Sequence, residues 1–363
     1  MKINRRSFIK NTALASSSIL VPNFLKAFQF QNGGQIRSGK VLVMIQLSGG
    51  NDGLNAIVPY ADDLYYSKRP RLGIASSDVI RLNDHLGFNP AFSALQEIYD
   101  KGFMTIINNV GYPNPDRSHF RSMDIWQSAS PSNEYWRTGW IGRFLDNQCN
   151  GCDTPYSAIE VDDSLSLAMK GSSNTGFAFQ DPKRLFKTSN NKYLKYLNEQ
   201  FEESEFVNKE VDFLYKTMID TQSSARYIFE KHKTYNSKIE YPRNAFAKDL
   251  KLIAELITAD TGTKVYYASL GGFDTHANQK NMHNRLLKQY ADSVSAFIKD
   301  LESNGLLKDT IIVTFSEFGR RVKQNASGGT DHGTANNVYV MGGDLKKPGI
   351  FNQGPDLKNL DNG

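Results

Sequence analysis

Carboxylate and imidazole side chains recur shortly after apolar runs that read as buried β-strands. These residues are Asp52, Asp274, His276, His283, Glu317, Asp331 and His332. Carboxylates and imidazoles are the usual protein ligands of zinc and similar divalent ions. Any one of these residues, taken alone, is more often an ordinary polar residue of a loop. Taken together, they predict a metal site.

A second group of residues could act on a substrate at such a site. Ser118 stands before a helical pattern, and the backbone N–H groups at a helix start favour an anion, so its hydroxyl is a candidate nucleophile. His119 follows it and is a second candidate catalytic residue. A serine at this place is also a common helix cap, and both interpretations stay open.

Three arginines lie beside these residues. Arg117, Arg320 and Arg321 are candidates for holding an anionic substrate group, because a guanidinium group matches such a group with paired hydrogen bonds. Each of them is equally well explained as a surface charge.

The apolar runs that must position these residues predict an α/β fold with a mostly parallel sheet. The predicted strands are residues 41–47, 104–108, 158–161, 265–270, 311–314 and 338–341, and the predicted helices are 92–101, 136–147, 245–258 and 286–304. Residues 54–92 read as irregular. Ligand sites in open α/β sheets lie outside the carboxyl ends of the strands, where the carboxylates and imidazoles follow.

The composition limits the classes of protein that fit. A chain of 363 residues with 39% hydrophobic and 22% charged residues is long enough for one large α/β domain with an insertion, or for two domains. The net charge of +5 is modest, and no dense Lys/Arg block with interleaved aromatic residues occurs. Nucleic-acid binding is therefore not expected. Residues 190–245 are rich in charged residues at helical spacing and predict a helical insertion or cap.

The first 38 residues read as a targeting segment. Arg5 and Arg6 precede a short, weakly apolar run, as in a twin-arginine export signal. That run is too short to span a membrane, and no later segment is apolar enough. We therefore expect a periplasmic or secreted protein with its folded domain in residues 39–363. Cys149 and Cys152 are too few for a structural zinc site, and a disulfide or a redox role remains open.

The motifs FDTHANQ, SEFGRR and GTDHG, behind a twin-arginine signal and a first strand that ends in SGGNDG, resemble the DUF1501 family of exported bacterial proteins. That family is similar to the alkaline phosphatase and sulfatase superfamily. The resemblance implies a three-layer α/β/α sandwich of the alkaline-phosphatase type. It also implies one or two divalent metals, with zinc expected first and calcium, magnesium or manganese as alternatives.

The resemblance assigns roles to individual positions. Asp52, Asp274, His276 and His332 match acidic and imidazole ligands, and Ser118 matches the nucleophile at a helix start. Glu317 stands where the superfamily has Asp followed by His, but here the next residue is Phe318, so one imidazole is missing. His119, His283 or Asp331 could replace it.

Two functions follow as expectations. The first is metal-dependent hydrolysis of a phosphate or sulfate ester, with Ser118 or a metal-bound water as the nucleophile. Its substrate would be a small anionic ester or a glycan-type molecule. The second is a secreted, non-catalytic binding or assembly protein that keeps a degenerate or structural metal site, which the missing imidazole at Phe318 favours.

Overall fold

The computed structural model describes residues 39–148, 154–194, 196, 209–361 and 363. Four predicted features lie wholly or partly outside these residues: the predicted twin-arginine segment, Cys149, Cys152 and part of the predicted helical insertion. The strands are β1 (Val41–Leu47), β2 (Ile57–Val58), β3 (Ile80–Arg81), β4 (Gly87–Phe88), β5 (Met104–Val110), β6 (Ala158–Glu160), β7 (Phe177–Ala178), β8 (Val265–Leu270), β9 (Thr310–Phe315), β10 (Asn336–Met341) and β11 (Gly349–Ile350). The helices are α1 (Gly53–Ala56), α2 (Asp63–Lys68), α3 (Ser93–Asp100), α4 (His119–Ser128), α5 (Trp140–Gln148), α6 (Pro182–Ser189), α7 (Lys209–His232), α8 (Ala245–Thr258) and α9 (Gln279–Ser303).

The central sheet is mixed and mostly parallel, with the strand order β11-β5-β10-β9-β1-β8-β6-β7. Strands β1 and β9 pair in parallel, whereas β10 runs antiparallel to both β5 and β9. Strand β10 is antiparallel because a loop, not a crossover helix, joins it to β9. The predicted α/β class with a mostly parallel sheet is confirmed.

Residues 54–92 are more ordered than their sequence indicates. They contain part of α1, the helix α2 and a small antiparallel sheet in the order β2-β4-β3. Asp62 caps α2 by accepting a hydrogen bond from the Leu64 N–H at 2.8 Å. The expectation of an irregular segment was wrong, because strands of two residues are too short to show an alternating pattern.

The chain divides into two compact units. The larger unit comprises residues 40–136, 237–254 and 267–363. Strand β1 is buried along its whole length, including Gln46, as its mainly apolar run predicts for a parallel strand covered on both faces. The rings of Phe92, Tyr290 and Tyr339 pack together in the core of this unit, with ring centroids 5.8 to 6.2 Å apart. Each such buried side chain contributes roughly 1.5–3 kcal/mol of hydrophobic free energy.

The smaller unit contains the described residues of 137–236 and 255–266. Helices α6 and α7 pack through the stacked rings of Phe186 and Phe229, whose centroids lie 4.5 Å apart. Asp181 caps α6 by accepting a hydrogen bond from the Arg184 N–H, and Pro182 occupies the first position of that helix. Among the described residues of the chain, no helix combines the length and the apolar character needed to cross a bilayer.

Glu160 of the smaller unit should make stability depend on pH. Burial raises the pKa of this carboxyl to about 7, although its Oε2 accepts a hydrogen bond from the Ser166 N–H. Below the unfolded pKa of about 4.5 the Glu160 carboxyl is neutral in both states, and its contribution to stability is fully present. As the pH rises through the folded pKa of about 7 this contribution is lost, because ionisation favours the unfolded state. The wild-type free energy of unfolding should therefore fall, by roughly 3 kcal/mol, between pH 4.5 and pH 8 relative to Glu160→Gln. Denaturant unfolding at several pH values measures this, and the exposed Glu230→Gln serves as the control. Parallel curves for wild type and Glu160→Gln would contradict the prediction.

Candidate metal centre

The residues at and just after the ends of strands β1, β8 and β9 are joined by hydrogen bonds at one edge of the sheet. The Ser48 N–H donates to the Leu270 carbonyl oxygen at 2.9 Å, and the Gly49 N–H donates to Glu317 Oε1 at 2.8 Å. Gly49 has a φ of 117°, and a Cβ atom there would lie 2.4 Å from the Asp274 nitrogen. Only glycine fits this position. The motif SGGNDG therefore serves close backbone packing at the site.

Three imidazoles face a single carboxylate oxygen at this edge. Oδ1 of Asp274 lies 3.3 Å from Nε2 of His119, 3.0 Å from Nε2 of His276 and 3.3 Å from Nε2 of His332. The Nε2 atoms of His276 and His332 are 2.9 Å apart. His119, Asp274 and His332 offer ligand atoms within 4.8 Å of one another, which is close enough for one ion.

The opposite nitrogen of each imidazole faces an acceptor. Nδ1 of His119 lies 2.8 Å from Glu317 Oε1, and Nδ1 of His276 lies 3.5 Å from Asp331 Oδ1. Nδ1 of His332 lies 2.7 Å from the carbonyl oxygen of Arg117. These acceptors assign the proton of each neutral ring to Nδ1. The lone pair of each Nε2 therefore points towards Asp274.

This arrangement suits a divalent metal. Lone pairs from three Nε2 atoms and a carboxylate oxygen repel one another unless a positive charge lies between them. Nε2 of His119 is buried and has no hydrogen-bond partner among the described residues. Histidines that bind metals commonly donate their other N–H to a carboxylate or a backbone carbonyl, as His119 and His332 do here. The triad of His119, Asp274 and His332, with His276 beside it, offers nitrogen and oxygen donors of the kind that zinc takes.

Charge and solvent access also fit a metal centre. Burial would raise the pKa of Asp274, but the hydrogen bond and charge of Arg320, together with the neighbouring imidazoles of His332 and His119, lower it to about 2. The hydrogen bond and charge of Glu317 raise the pKa of His119 against the effect of burial. The Asp274 side chain is 50% exposed and that of His276 is 45% exposed. A ligand can therefore reach the centre from solvent.

Phe318 packs against two of the imidazoles, His119 and His332, whose own ring centroids lie 4.4 Å apart. Its ring centroid lies 4.8 Å from that of His119 and 4.6 Å from that of His332. A Cβ atom at Gly50 would meet the Phe318 ring at 2.3 Å, so the ring rests directly on the first loop. Phe318 supplies no ligand atom, and its ring fixes the planes of His119 and His332 instead.

Arg320 lies in the interior with its donors engaged, contrary to the predicted role in substrate binding. Its acceptors are the carbonyl oxygens of Gly49, Gly50, Phe273 and Thr330, and Oδ1 of Asp274. The side chain is fully buried. We therefore assign Arg320 to holding three loops and the Asp274 carboxylate in place.

Asp52 and His283 are buried, and their hydrogen-bond partners lie outside the cluster of imidazoles around Asp274. Oδ2 of Asp52 accepts hydrogen bonds from Arg69 at 2.6 Å and from Gln279 at 2.5 Å. Burial would raise the pKa of Asp52, but the charge and hydrogen bond of Arg69 lower it. Nε2 of His283 lies 2.9 Å from Asn51 Oδ1, and burial lowers the pKa of this histidine to about 4. These contacts indicate that Asp52 and His283 stabilise the loops next to the cluster.

Ser118, Arg117 and Arg321 lie next to the cluster in sequence. Ser118 is exposed at the N-cap of α4, and its side chain makes no capping hydrogen bond. Its N–H donates to Asp116 Oδ1 at 2.7 Å. Arg117 provides the carbonyl that holds His332, and the Arg321 N–H donates to the Asp331 carbonyl at 2.9 Å.

The sequence reasoning missed two contributions to the site. Arg69, which neutralises Asp52, has no sequence pattern that links the two residues. Phe318 was read only as a missing ligand, whereas its ring packs on two imidazoles. His119 was predicted as a catalytic residue and also as a candidate to replace the missing imidazole, and its position after a strand, like that of the other loop histidines, is the signal for a ligand.

Residues 103–360 match the profile of the family described as "Protein of unknown function (DUF1501)". This match covers most of the chain, and the chain belongs to this family. No curated protein matches the sequence.

Several solved structures resemble the chain at low identity. The C-terminal periplasmic domain of EcEptC from Escherichia coli, in complex with Zn, is 11% identical over 85% of this chain and 74% of its own, with a TM-score of 0.38. The lipooligosaccharide phosphoethanolamine transferase A of Neisseria meningitidis is 11% identical over 93% of this chain and 55% of its own, with a TM-score of 0.42. A mutant of the TAB5 alkaline phosphatase with bound Mg is 8% identical over 85% of this chain and 92% of its own, with a TM-score of 0.37. Similarity of this size carries no conclusion about the chemistry of this chain.

Proposed function

We propose that this chain is an exported, metal-dependent hydrolase of phosphate or sulfate esters. The observation that carries the proposal is the convergence of three Nε2 atoms on Oδ1 of Asp274. Calcium and magnesium prefer oxygen ligands, so the imidazole-rich donor set favours zinc. The export step rests on the paired arginines near the N-terminus.

The proposed ligands differ in part from those expected from the sequence. His119, Asp274, His276 and His332 would hold the metal. Glu317 and Asp331 would hold the proton on Nδ1 of His119 and His276, and so keep Nε2 available. Asp52 and His283 would support the loops. One cluster of four ligands favours a single metal ion.

The remaining residues supply substrate contacts. A divalent metal at this place would polarise an ester oxygen and lower the pKa of a nearby hydroxyl or water. Ser118 is exposed, and in the sequence it stands between Arg117 and the proposed ligand His119. The carbonyl of Arg117 positions His332. Ser118 remains our candidate nucleophile. Arg117 and Arg321 remain candidates for binding the anionic ester group.

The test is elemental analysis of the protein purified after export, followed by turnover of aryl phosphates and aryl sulfates. We expect one equivalent of zinc or a similar divalent metal, and release of the aryl alcohol. Folded protein without metal would refute the proposal.

The non-catalytic alternative rests on Phe318, which stands where a further imidazole is expected and contributes no ligand atom. Stoichiometric metal without turnover of any ester would favour this alternative. The half-exposed Asp274 and His276 argue against a purely structural site, because structural zinc sites are closed to solvent whereas catalytic ones leave room for water or substrate.

Glu317→Gln should weaken the metal site without unfolding the protein. The variant removes the negative charge that holds the Nδ1 proton of His119, while the amide keeps the size of the side chain. We expect the metal affinity to fall about 10- to 100-fold. Competition with a chromogenic chelator measures this, and Glu97→Gln, at an exposed surface ion pair, is the matched control. Equal affinities of the two variants would exclude the positioning role of Glu317.

A further inference from the structure

Two adjoining cavities flank the loop that carries His332. Their volumes are about 280 Å³ and about 850 Å³. They share the lining residues Asn109, Thr334, Ala335 and Asp361. We call the two together the loop groove. Its combined size is that of a site for a drug-sized ligand or larger.

The loop groove is connected to the metal centre through Arg117. This residue lines the larger cavity, and its carbonyl oxygen accepts the hydrogen bond from Nδ1 of His332 at 2.7 Å. Thr334, two residues after His332, lines both cavities. The groove and the cluster therefore share Arg117 as a neighbour, and a molecule bound at the cluster would have the groove beside it.

The walls of the larger cavity combine flat apolar rings with amides. Tyr112, Pro113 and Pro115 supply ring faces, and Asn109 and Asn114 supply side-chain amides. The single cation among the lining residues, Arg117, is offset by the single anion, Asp361. A wall of this kind has no excess positive charge for a polyanion. It suits a neutral molecule with apolar C–H faces and hydroxyl edges.

The smaller cavity has an acceptor that lacks a donor. Asn337 lines it, is 9% exposed and donates through Nδ2 to Asn108 Oδ1 at 2.8 Å. Its Oδ1 atom is buried and has no hydrogen-bond partner within the described part of the chain. Buried polar atoms normally have a hydrogen-bond partner, and a donor such as a hydroxyl group would supply one for this oxygen.

We propose that the loop groove binds the sugar part of a sugar ester. This inference rests on the proposed hydrolase function, since it assigns the organic part of the substrate. Sugar rings would pack on the Tyr112, Pro113 and Pro115 faces, with their hydroxyl groups on the asparagine amides.

The experiment measures sugar binding and hydrolysis separately. Asn109 and Asn114 have φ angles of 57° and 51°, so Asn109→Gly and Asn114→Gly remove the amides and keep the backbone conformation. Asp260→Gly, at a residue with a φ of 51° that lines neither cavity, is the control. The metal-loaded full chain is applied to an array of neutral and sulfated oligosaccharides and to a peptide array. Metal content and turnover of 4-nitrophenyl sulfate and 4-nitrophenyl phosphate are measured on the same samples.

We expect wild type and Asp260→Gly to bind a subset of the oligosaccharides, and each asparagine variant to bind them about tenfold more weakly. Metal content should stay unchanged in all variants, and Asp260→Gly should turn over the aryl esters at the wild-type rate. No oligosaccharide binding, binding that the variants do not weaken, or binding to peptides alone would overturn the inference, even if aryl esters are cleaved. Oligosaccharide binding that the variants weaken, without metal or turnover, would support the groove and refute the hydrolase.

Discussion

Replacement of His332 by alanine should yield a folded protein that no longer retains a divalent metal. Nε2 of His332 lies 2.9 Å from Nε2 of His276 and 3.3 Å from Oδ1 of Asp274, so its loss leaves an incomplete ligand set. A bound metal contributes several kcal/mol to the stabilisation of charge in the transition state. Ester hydrolysis should therefore fall on the order of 10³-fold.

The measurement is metal content after dialysis, together with kcat/KM on the best aryl ester. His85→Ala is the matched control, because His85 is exposed and lies in a turn outside the cluster. Circular dichroism and the denaturant midpoint show whether the His332 variant folds. A His332 variant with full metal content and full activity would place the metal centre elsewhere in the chain.

Replacement of Arg69 by methionine should destabilise the protein strongly. Arg69 is 1% exposed, and its Nη1 atom lies 2.6 Å from Oδ2 of the equally buried Asp52. The same side chain donates to Asn55 Oδ1 at 2.8 Å and to the Val322 carbonyl oxygen at 2.8 Å. Removing one partner of a buried ion pair leaves an uncompensated charge, so we expect a loss of roughly 3–5 kcal/mol in the free energy of unfolding.

A double variant separates charge from packing. Asp52→Asn in the Arg69→Met background removes the stranded carboxylate, and it should restore part of the lost stability. Arg71→Met, at an exposed residue of the same segment, is the control and should change little. Metal content should stay normal in the double variant, because Asp52 contacts Arg69 and Gln279 and not the cluster. Loss of metal on Asp52→Asn alone would instead make Asp52 a ligand, as its sequence position suggested.

The strands that lead to the site could be predicted because their signals are local. Val41–Leu47 and Val265–Leu270 are mainly apolar runs that end in glycine-rich turns, and the structure has β1 and β8 at these residues. The antiparallel direction of β10 and the short strands β2, β3 and β4 depend on pairing with distant residues. No local pattern specifies such pairing.

The residue types of the site could be predicted, but not the role of each residue. Asp274, His276 and His332 follow strands whose ends meet, so their proximity follows from the topology. Whether a carboxylate contacts Nε2 or Nδ1 of an imidazole depends on side-chain directions set by the tertiary fold. Glu317 and Asp274 therefore looked equivalent in the sequence, although Glu317 contacts Nδ1 of His119 and Asp274 faces its Nε2.

The buried guanidinium of Arg320 bears on when an ion would enter the proposed centre. It ties carbonyl oxygens from three separate loops to the Asp274 carboxylate through hydrogen bonds that involve no metal. Asp274 and the three loops are therefore held in place without an ion, so capture of an ion at the proposed centre would require little reorganisation of these loops. A chelator should strip the ion without unfolding the protein, and added ion should restore it quickly. The proposed centre would then load after folding, unlike zinc fingers, which fold only when the metal binds.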